Sequence, residues 1–383
     1  MLLPAVLVAA LLLANYLRPI PIPVATLHVA LPSAEAALPI PWPTGGQSAA
    51  IGDGYGLLGA SGDAKPLATA SIAKVIVALC VLQKQPLNIG DSGPTYTIGA
   101  SDVASYTSYA AQGGSLVPVT LGEQLTEYQM LQALMLPSAN NIADSLVAWV
   151  FGSQDAYATY ATNYLQQQGL NQTHIGPDAS GLDPGTTSTA SDLANMGLLA
   201  LKSPALMQIA GQKTATLPVV GEVANYDTVL GQNGITGLKT GNNDADPGAF
   251  LFTATARIGD KTIPLAGAVM GAQDLDTALQ HSVQLVGSLQ QGFEQVTVAP
   301  TGKVVGSLQA VWGAKASIVT NGVVQVVRWK ATPLTETHTL DAAVRNGVVG
   351  GLKVTAGQAQ SQVRLQLDRP LAGPSFWWRL TRH

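Results

Sequence analysis

Residues 70–82 read ASIAKVIVALCVL, an apolar run interrupted by one hydroxyl and one amine. Its length and composition predict a buried helix. Positions three apart lie on the same helical face, so the spacing places the Ser71 hydroxyl within reach of the Lys74 amine. The apolar neighbours of Lys74 should desolvate its amine and disfavour the charged form. The run therefore predicts a serine nucleophile beside a lysine that can accept its proton.

The same spacing has a structural interpretation. A serine near the start of a helix can cap it, and a lysine can extend its stem over apolar surface while its amine reaches water. The pair alone does not decide the function, because a chain of this composition can contain such a spacing by chance.

The elements around this run predict an α+β fold. Residues 237–241, 249–256 and 262–270 have the composition of three strands in an antiparallel meander, and a long amphipathic helix follows, ending at Gly292. A hairpin is predicted around residues 52–54. A capping box at residues 120–123, an inter-helix turn near residue 138 and further helices lie between hairpin and meander. Beyond residue 295, short β-branched segments predict a small all-β domain, with residues 376–380 as an edge strand or, alternatively, an interfacial anchor.

Two further motifs follow the first in chain order. Ser138-Ala139-Asn140 lies on the predicted inter-helix loop, and Lys239-Thr240-Gly241 lies on a predicted strand. Three such motifs in this order, each on a suitable element, are improbable by chance. At these residues the chain resembles the low-molecular-weight penicillin-binding proteins, the serine D-alanyl-D-alanine carboxypeptidases of bacterial cell-wall metabolism. The resemblance extends from about residue 42 to the end of the sequence.

The resemblance implies a β-lactamase/DD-peptidase-like antiparallel sheet with flanking helices, followed by the small C-terminal all-β domain. It also implies roles for the first two motifs. Ser71 is the acylated nucleophile and Lys74 its base. Ser138 relays a proton to the departing amine, and Asn140 holds the peptide group of the substrate and orients Lys74.

The third motif is implied to bind substrate. Lys239 supplies a fixed positive charge for the terminal carboxylate of the stem peptide, with help from the Thr240 hydroxyl. Gly241 leaves room for substrate to lie against the strand, and the N–H groups of Ser71 and Asn242 form the oxyanion hole.

The sequence departs from the family pattern at two places. Asn141 stands where an aspartate is usual, and the turn of residues 242–248 is slightly long. Asp244 and Asp246 in that turn are expected to be solvated, and Asp183 is expected to be structural.

Composition argues against several other classes of function. A net charge of −4 without a Lys/Arg cluster argues against a nucleic-acid surface. The single cysteine allows no intramolecular disulfide, and the five histidines show no pairing at metal-ligand spacing. We therefore expect no metal site and no cofactor.

The N-terminal residues predict an extracytoplasmic location. Residues 1–17 are apolar enough for a signal peptide or a short membrane anchor, and the Pro-rich residues 18–43 are typical of an extended spacer. The predicted catalytic domain then covers residues 44–294, and a β-sandwich-like domain covers residues 295–383.

The leading hypothesis is a D,D-carboxypeptidase that acts on peptidoglycan pentapeptide stems and is inhibited covalently by β-lactams. A D,D-endopeptidase would use the same residues. A serine β-lactamase is a further alternative, although no glutamate lies in the E-x-x-L-N context of class A enzymes. A non-catalytic wall-binding or penicillin-sensing protein is the remaining alternative.

Overall fold

The computed structural model describes residues 2–36, 38–345 and 347–382. The chain forms two compact units. One is Pro39–Gly292, here called the catalytic unit because it contains the three predicted site motifs, and the other combines Met1–Leu38 with Phe293–His383 and is here called the β unit.

The helices are α1 (Leu2–Leu17), α2 (Ala73–Lys84), α3 (Ala100–Ala111), α4 (Glu127–Met135), α5 (Asn140–Phe151), α6 (Gln154–Gln167), α7 (Ala190–Leu201), α8 (Pro204–Ala210), α9 (Leu275–Gln291) and α10 (Phe376–Thr381). The strands are β1 (Val24–Leu27), β2 (Gln47–Gly52), β3 (Gly56–Ser61), β4 (Leu67–Ala68), β5 (Thr95–Thr97), β6 (Gln124–Thr126), β7 (Thr187–Ser188), β8 (Thr214–Leu217), β9 (Gly221–Ala224), β10 (Ile235–Gly241), β11 (Ala249–Ile258), β12 (Lys261–Met270), β13 (Phe293–Ala299), β14 (Val304–Gln309), β15 (Lys315–Asn321), β16 (Val324–Trp329), β17 (Thr335–Arg345), β18 (Val348–Ala356) and β19 (Ala359–Leu367).

A five-stranded antiparallel sheet organises the catalytic unit, with the strand order β10-β11-β12-β2-β3. The predicted meander and hairpin are therefore confirmed. Helix α7 packs on one face of this sheet. A Cβ on Gly197 of α7 would lie 3.4 Å from Cδ1 of Leu251 on β11, so the helix lies on the face that Leu251 occupies. Strand β10 lies at an edge of this sheet, and among the described residues no strand pairs with its outer side.

Helix α2 is the central helix of the catalytic unit. Every residue from Ala73 to Leu82 is buried, which confirms the buried helix predicted from the apolar run. Burial of a single large aliphatic side chain contributes about 1.5–3 kcal/mol, so this helix is a major source of stability. Its position is consequently well fixed, and so is that of the lysine in its first turn.

The predicted start of helix α4 was wrong. Thr120 and Glu123 do exchange hydrogen bonds, but they close a turn before strand β6. The helix instead begins at Glu127 with a capping box formed by Thr126 and Gln129. Two capping patterns occur within ten residues, and the helix begins at the second, directly after strand β6 pairs with β5.

The β unit contains a six-stranded antiparallel sheet with the order β1-β14-β15-β19-β18-β17 and a two-stranded sheet of β13 and β16. Its core consists of aliphatic side chains from both sheets, among them Ile318, Val326 and Leu352. This arrangement agrees with the predicted C-terminal all-β fold. The segment predicted as a spacer contributes strand β1, which pairs with β14 through Val24–Gln309 and Leu27–Gly306.

The C-terminal aromatic segment forms helix α10, so the strand favoured by the sequence was wrong. Ser375 caps the helix, and its hydroxyl accepts the Trp378 N–H. Helix α10 contacts α1, through a ring contact between Phe376 and Tyr16 among others.

Among the residues that the structure describes, none of the helices has both the length and the apolar character needed to cross a membrane.

Candidate active site

Ser71 and Lys74 meet at the start of helix α2. Ser71 lies in a 3-10 turn, Ala70–Ile72, that leads into the helix, and Ala70 adopts a left-handed φ of +45°. The Lys74 Nζ lies 2.8 Å from the Ser71 Oγ. The predicted contact between the Ser71 hydroxyl and the Lys74 amine is therefore present in the structure.

The Lys74 amine is fully buried and has three hydrogen-bond partners. Besides Ser71 Oγ, it donates to Asn140 Oδ1 and to the Ser180 carbonyl, each at 2.7 Å. A neutral amine has two protons and one lone pair. The amide and carbonyl oxygens can only accept, so donation to both directs the lone pair towards the Ser71 hydroxyl.

The electrostatics favour this neutral form. Burial lowers the pKa of Lys74 well below its ordinary value, and the nearby charge of Lys239 lowers it further. The carboxylates of Asp178 and Asp144 act in the opposite direction but do not outweigh burial. The lowered pKa favours the neutral amine, which is the form that can act as a general base.

Ser138 and Asn140 come from the loop between α4 and α5 and from the first turn of α5. The backbone of Ser138 is left-handed, with φ of +62°, which for a non-glycine residue is a strained conformation. Its Oγ is buried and has no hydrogen-bond partner among the described residues. Asn140 is fixed by a hydrogen bond from its backbone N–H to the Ser115 carbonyl at 2.9 Å.

The structure explains why Asn141 suits this chain. Its side-chain amide accepts the Val117 N–H at 3.1 Å and donates to the Val117 carbonyl at 2.9 Å. An ionised aspartate cannot make the second bond because it has no proton to donate. Asn141 thus pins the loop that carries Ser115 against helix α5.

The third motif lies on the edge strand β10. Lys239 is 1% exposed and donates to the Thr240 carbonyl at 3.0 Å. Burial lowers the pKa of Lys239 to about 7, and Asp227 opposes this shift. Burial thus acts against the fixed positive charge that the sequence predicts at Lys239, and the Asp227 carboxylate acts in favour of it.

Gly241 lies against the segment that carries the nucleophile. A Cβ at this position would be 3.0 Å from the Thr69 carbonyl oxygen and 3.2 Å from Ile72 Cγ1. The absence of a side chain therefore allows β10 to approach the 3-10 turn, a packing reason that the sequence interpretation did not include.

A pocket of about 530 Å³ lies in front of these elements. Ser71, Asn140 and Asn242 line it together with Gly114 and Leu182. Lys74, Ser138 and Lys239 are buried beside it rather than among its lining residues. The structure thus brings the predicted nucleophile Ser71, the amide of Asn140 and the predicted oxyanion residue Asn242 to one cavity.

For the loop of residues 178–183, sequence reasoning named Asp183 as structural but missed Asp178 and the Ser180 carbonyl. The Asp178 carboxylate accepts hydrogen bonds from the Ser180 hydroxyl at 2.6 Å and from the Gly181 N–H at 3.1 Å. Gly181 has φ of +73°, and a Cβ there would lie 2.0 Å from the Ala70 carbonyl oxygen. The loop can therefore approach the nucleophile turn closely enough for the Ser180 carbonyl to reach Lys74.

The turn after β10 is also tied to this loop. The Asn243 side chain donates to the Gly181 carbonyl at 3.1 Å. Asp246, expected to be solvated, is 1% exposed, and its Oδ1 accepts the N–H groups of Gly248 and Gly271. Asp244 is exposed, as expected. Burial raises the pKa of Asp246 to about 6.

Comparison with known proteins gives a family match. The model of the family described as D-alanyl-D-alanine carboxypeptidase matches residues 56–274. D-alanyl-D-alanine carboxypeptidase DacD of Salmonella typhimurium is 28% identical over 216 residues, covering 54% of this chain and 52% of that protein. DacA of Escherichia coli is 26% identical over 258 residues, covering 66% of this chain and 62% of that protein. The match thus spans about half to three fifths of the length of these two relatives.

The fold has a counterpart among solved structures. Penicillin binding protein 5 from Haemophilus influenzae superimposes with a TM-score of 0.61 at 18% sequence identity, covering 88% of this chain and all of that one. This likeness confirms the predicted α+β fold with its C-terminal β domain.

Proposed function

Because the chain belongs to the D-alanyl-D-alanine carboxypeptidase family, we propose that it removes the terminal D-Ala from peptidoglycan pentapeptide stems through an acyl-enzyme on Ser71. The observation that carries this proposal is the hydrogen bonding of Lys74. Its buried amine has two oxygens that can only accept and one hydroxyl, 2.8 Å away, from which it can take a proton.

In the acylation step, Lys74 takes the proton of the Ser71 hydroxyl while Oγ attacks the carbonyl carbon of the penultimate D-Ala. A tetrahedral intermediate forms, and its oxyanion lies in reach of the N–H groups of Ser71 and Asn242. The C–N bond to the terminal D-Ala then breaks. The proton passes from Lys74 to the departing amine with Ser138 as the relay.

In the second step, water attacks the ester carbonyl. Lys74 takes one proton from the water as the new C–O bond forms, and the proton returns to Ser71 Oγ as the ester bond breaks. The shortened stem peptide leaves as a carboxylate, and the second proton of the water is released to solvent. No redox partner or metal is required for this balance of atoms and charge.

Substrate orientation is assigned to the edge strand. The protonated form of Lys239, with the Thr240 hydroxyl, would attract the terminal carboxylate of the stem peptide. Strand β10 has an unpaired edge, so the peptide backbone can align beside it as an added strand. Gly241 permits this alignment next to the nucleophile.

We also propose an extracytoplasmic position at a membrane surface, held by the N-terminal segment. Helix α1 carries no charged residue, and several of its large side chains, including Leu7 and Leu11, are about 60% exposed. Helix α10 packs at its end, where Arg379 donates to the Tyr16 carbonyl and Arg382 donates to the Asn15 carbonyl. An apolar helix with aromatic and cationic groups at one end suits insertion at a bilayer interface.

Covalent labelling with a fluorescent penicillin tests the proposed chemistry, since its strained amide mimics the D-Ala-D-Ala terminus. We expect the parent to be labelled and Ser71→Ala to be unlabelled while remaining folded by circular dichroism. Equal labelling of the Ala variant would contradict the assignment of the nucleophile.

Product analysis then separates the related activities. A pentapeptide should release D-Ala, whereas preferred cleavage of a cross-linked dimer would favour an endopeptidase. Rapid consumption of many equivalents of penicillin would favour a β-lactamase.

A further inference from the structure

Asp178 is a half-buried carboxylate that the proposed reaction does not use. Its two oxygens accept hydrogen bonds from one hydroxyl and three N–H groups of the residues that follow it. The donors are the Ser180 hydroxyl at 2.6 Å and the N–H groups of Gly181 at 3.1 Å, Leu182 at 3.2 Å and Asp183 at 3.4 Å. One side chain thus bonds to almost every residue of its own loop.

The loop of residues 178–183 depends on such side-chain bonds. It belongs to no helix or strand, and among the described residues no backbone carbonyl accepts the three N–H groups that Asp178 binds. Gly181 is buried, and a buried N–H group needs an acceptor, which Asp178 supplies. From another element, the Asn243 side chain donates to the Gly181 carbonyl at 3.1 Å. These two side chains therefore fix the conformation of the loop.

The position of this loop determines how the Lys74 amine is oriented. The Ser180 carbonyl accepts from Lys74 Nζ at 2.7 Å, and Asn140 Oδ1 accepts at the same distance. A neutral amine has two protons, and these two acceptors engage both of them. If the Ser180 carbonyl moved away, one proton would be free to point at Ser71 Oγ. Lys74 would then donate to the nucleophile instead of accepting its proton.

We propose that Asp178 is a positioning residue that holds the Ser180 carbonyl against Lys74 and so keeps the Lys74 lone pair directed at the Ser71 hydroxyl. The proposal rests on the proposed function, because it takes Lys74 as the base. Among the described residues, Lys74 Nζ bonds to Ser71, Asn140 and Ser180 but not to Asp178. Asp178 therefore acts through its loop.

The charge of Asp178 has the opposite effect on the base. Three charged groups act on Lys74, of which Lys239 lowers its pKa while Asp178 and Asp144 raise it. Loss of the Asp178 charge alone would leave more of the Lys74 amine neutral, which does not slow acylation. A slower variant must therefore owe its loss to the missing hydrogen bonds.

Asp144→Asn is the matched control. Asp144 is also half-buried, and its charge also acts on Lys74. Its carboxylate, however, accepts from Ser105 at 2.7 Å and from Tyr109 at 3.4 Å, and both donors lie on helix α3. Asp178→Ala removes every acceptor of the loop, whereas Asp178→Asn removes the charge but keeps one oxygen. The three variants separate charge from positioning.

The measurement is labelling of the full chain by a fluorescent penicillin at pH 8, followed both as the second-order rate constant and as the final labelled fraction. Asp178→Ala should lose about 100-fold in the rate constant, the cost of a misplacement of about 1 Å in a catalytic arrangement. Asp178→Asn should lose about tenfold, because one acceptor remains. Asp144→Asn should be no more than about twofold slower than the parent. All three should reach the labelled fraction of the parent.

Equal rate constants for Asp178→Ala and Asp144→Asn would overturn the proposal, because the hydrogen bonds to the loop would then be dispensable. A loss confined to the labelled fraction would also overturn it, since that result indicates unfolded protein rather than a misplaced base. Should Asp178→Ala not fold, Asp178→Asn gives the same comparison with Asp144→Asn. If the parent itself is not labelled, the proposed function fails instead, so the two failures are distinguishable.

Discussion

Replacement of Gly181 by alanine should disrupt acylation without unfolding the protein. Gly181 has φ of +73°, a region that costs an L-residue about 1–2 kcal/mol. The added Cβ would lie 2.0 Å from the Ala70 carbonyl oxygen, and ordinary contacts begin at 3.4 Å. The loop and the nucleophile turn must therefore separate by roughly 1.4 Å if the clash is relieved along that direction.

This separation would displace hydrogen-bonding groups on the loop and also the turn that carries Ser71. The loop carries the Ser180 carbonyl that accepts from Lys74, and Ala70 adjoins the nucleophile. A misplacement of about 1 Å in a catalytic arrangement can cost about 100-fold in rate, and we expect a loss of that size in the rate constant for penicillin labelling.

Gly169→Ala is the matched control. Gly169 has a similar φ of +77°, but an added Cβ would meet no other atom within 4 Å, so this position shares the backbone cost without the clash. The variant should lose a comparable 1–2 kcal/mol of unfolding free energy at most and label within about threefold of the parent. Labelling of Gly181→Ala at the same rate as Gly169→Ala would refute the reasoning.

Two other predictions concern titration. Protonation of Lys74 removes the base, so the acylation rate should fall as pH drops through the lowered pKa of Lys74. Lys74→Arg should be nearly inactive in a stopped-flow labelling assay, since guanidinium cannot accept the proton. An active Arg variant would exclude Lys74 as the base. Burial raises the pKa of Glu127 from 4.5 to about 7, so its stabilising contribution is complete below pH 4.5 and is lost as pH rises towards 7. The difference in unfolding free energy between Glu127→Gln and the parent should therefore shift by about 2 kcal/mol in favour of the variant from pH 5 to pH 8, measured by urea denaturation. An equal difference at both pH values would contradict this.

The sequence predicted the parts of the site that depend on local spacing. The helical spacing between Ser71 and Lys74 brings them into contact even though Ser71 lies in a 3-10 turn. The composition of residues 237–270 predicted the meander whose first strand carries Lys239, and the structure adds that this strand lies at the edge of the sheet. Both predictions depend on a few neighbouring residues, so they hold even where the backbone departs from a regular helix or strand.

The parts that could not be predicted depend on contacts between distant segments. The Ser180 carbonyl is a backbone group, which leaves no trace in residue identity, and the signal for its loop was limited to Asp178 followed by Gly181. Asp246 was expected in solvent because its turn is polar, yet two backbone N–H groups draw it inward. The aromatic C-terminal segment forms a helix in contact with α1 rather than pairing as a strand.

The division of the chain also sets an order of events during synthesis. Strand β1 is made before the catalytic unit, and its partner β14 is made after that unit. The six-stranded sheet therefore cannot be completed until the catalytic unit has emerged, whereas that unit is continuous in sequence and can form its own sheet first. Strand β1 must stay unpaired meanwhile, and its short length of four residues, with a proline-rich approach, limits wrong pairing with other chains.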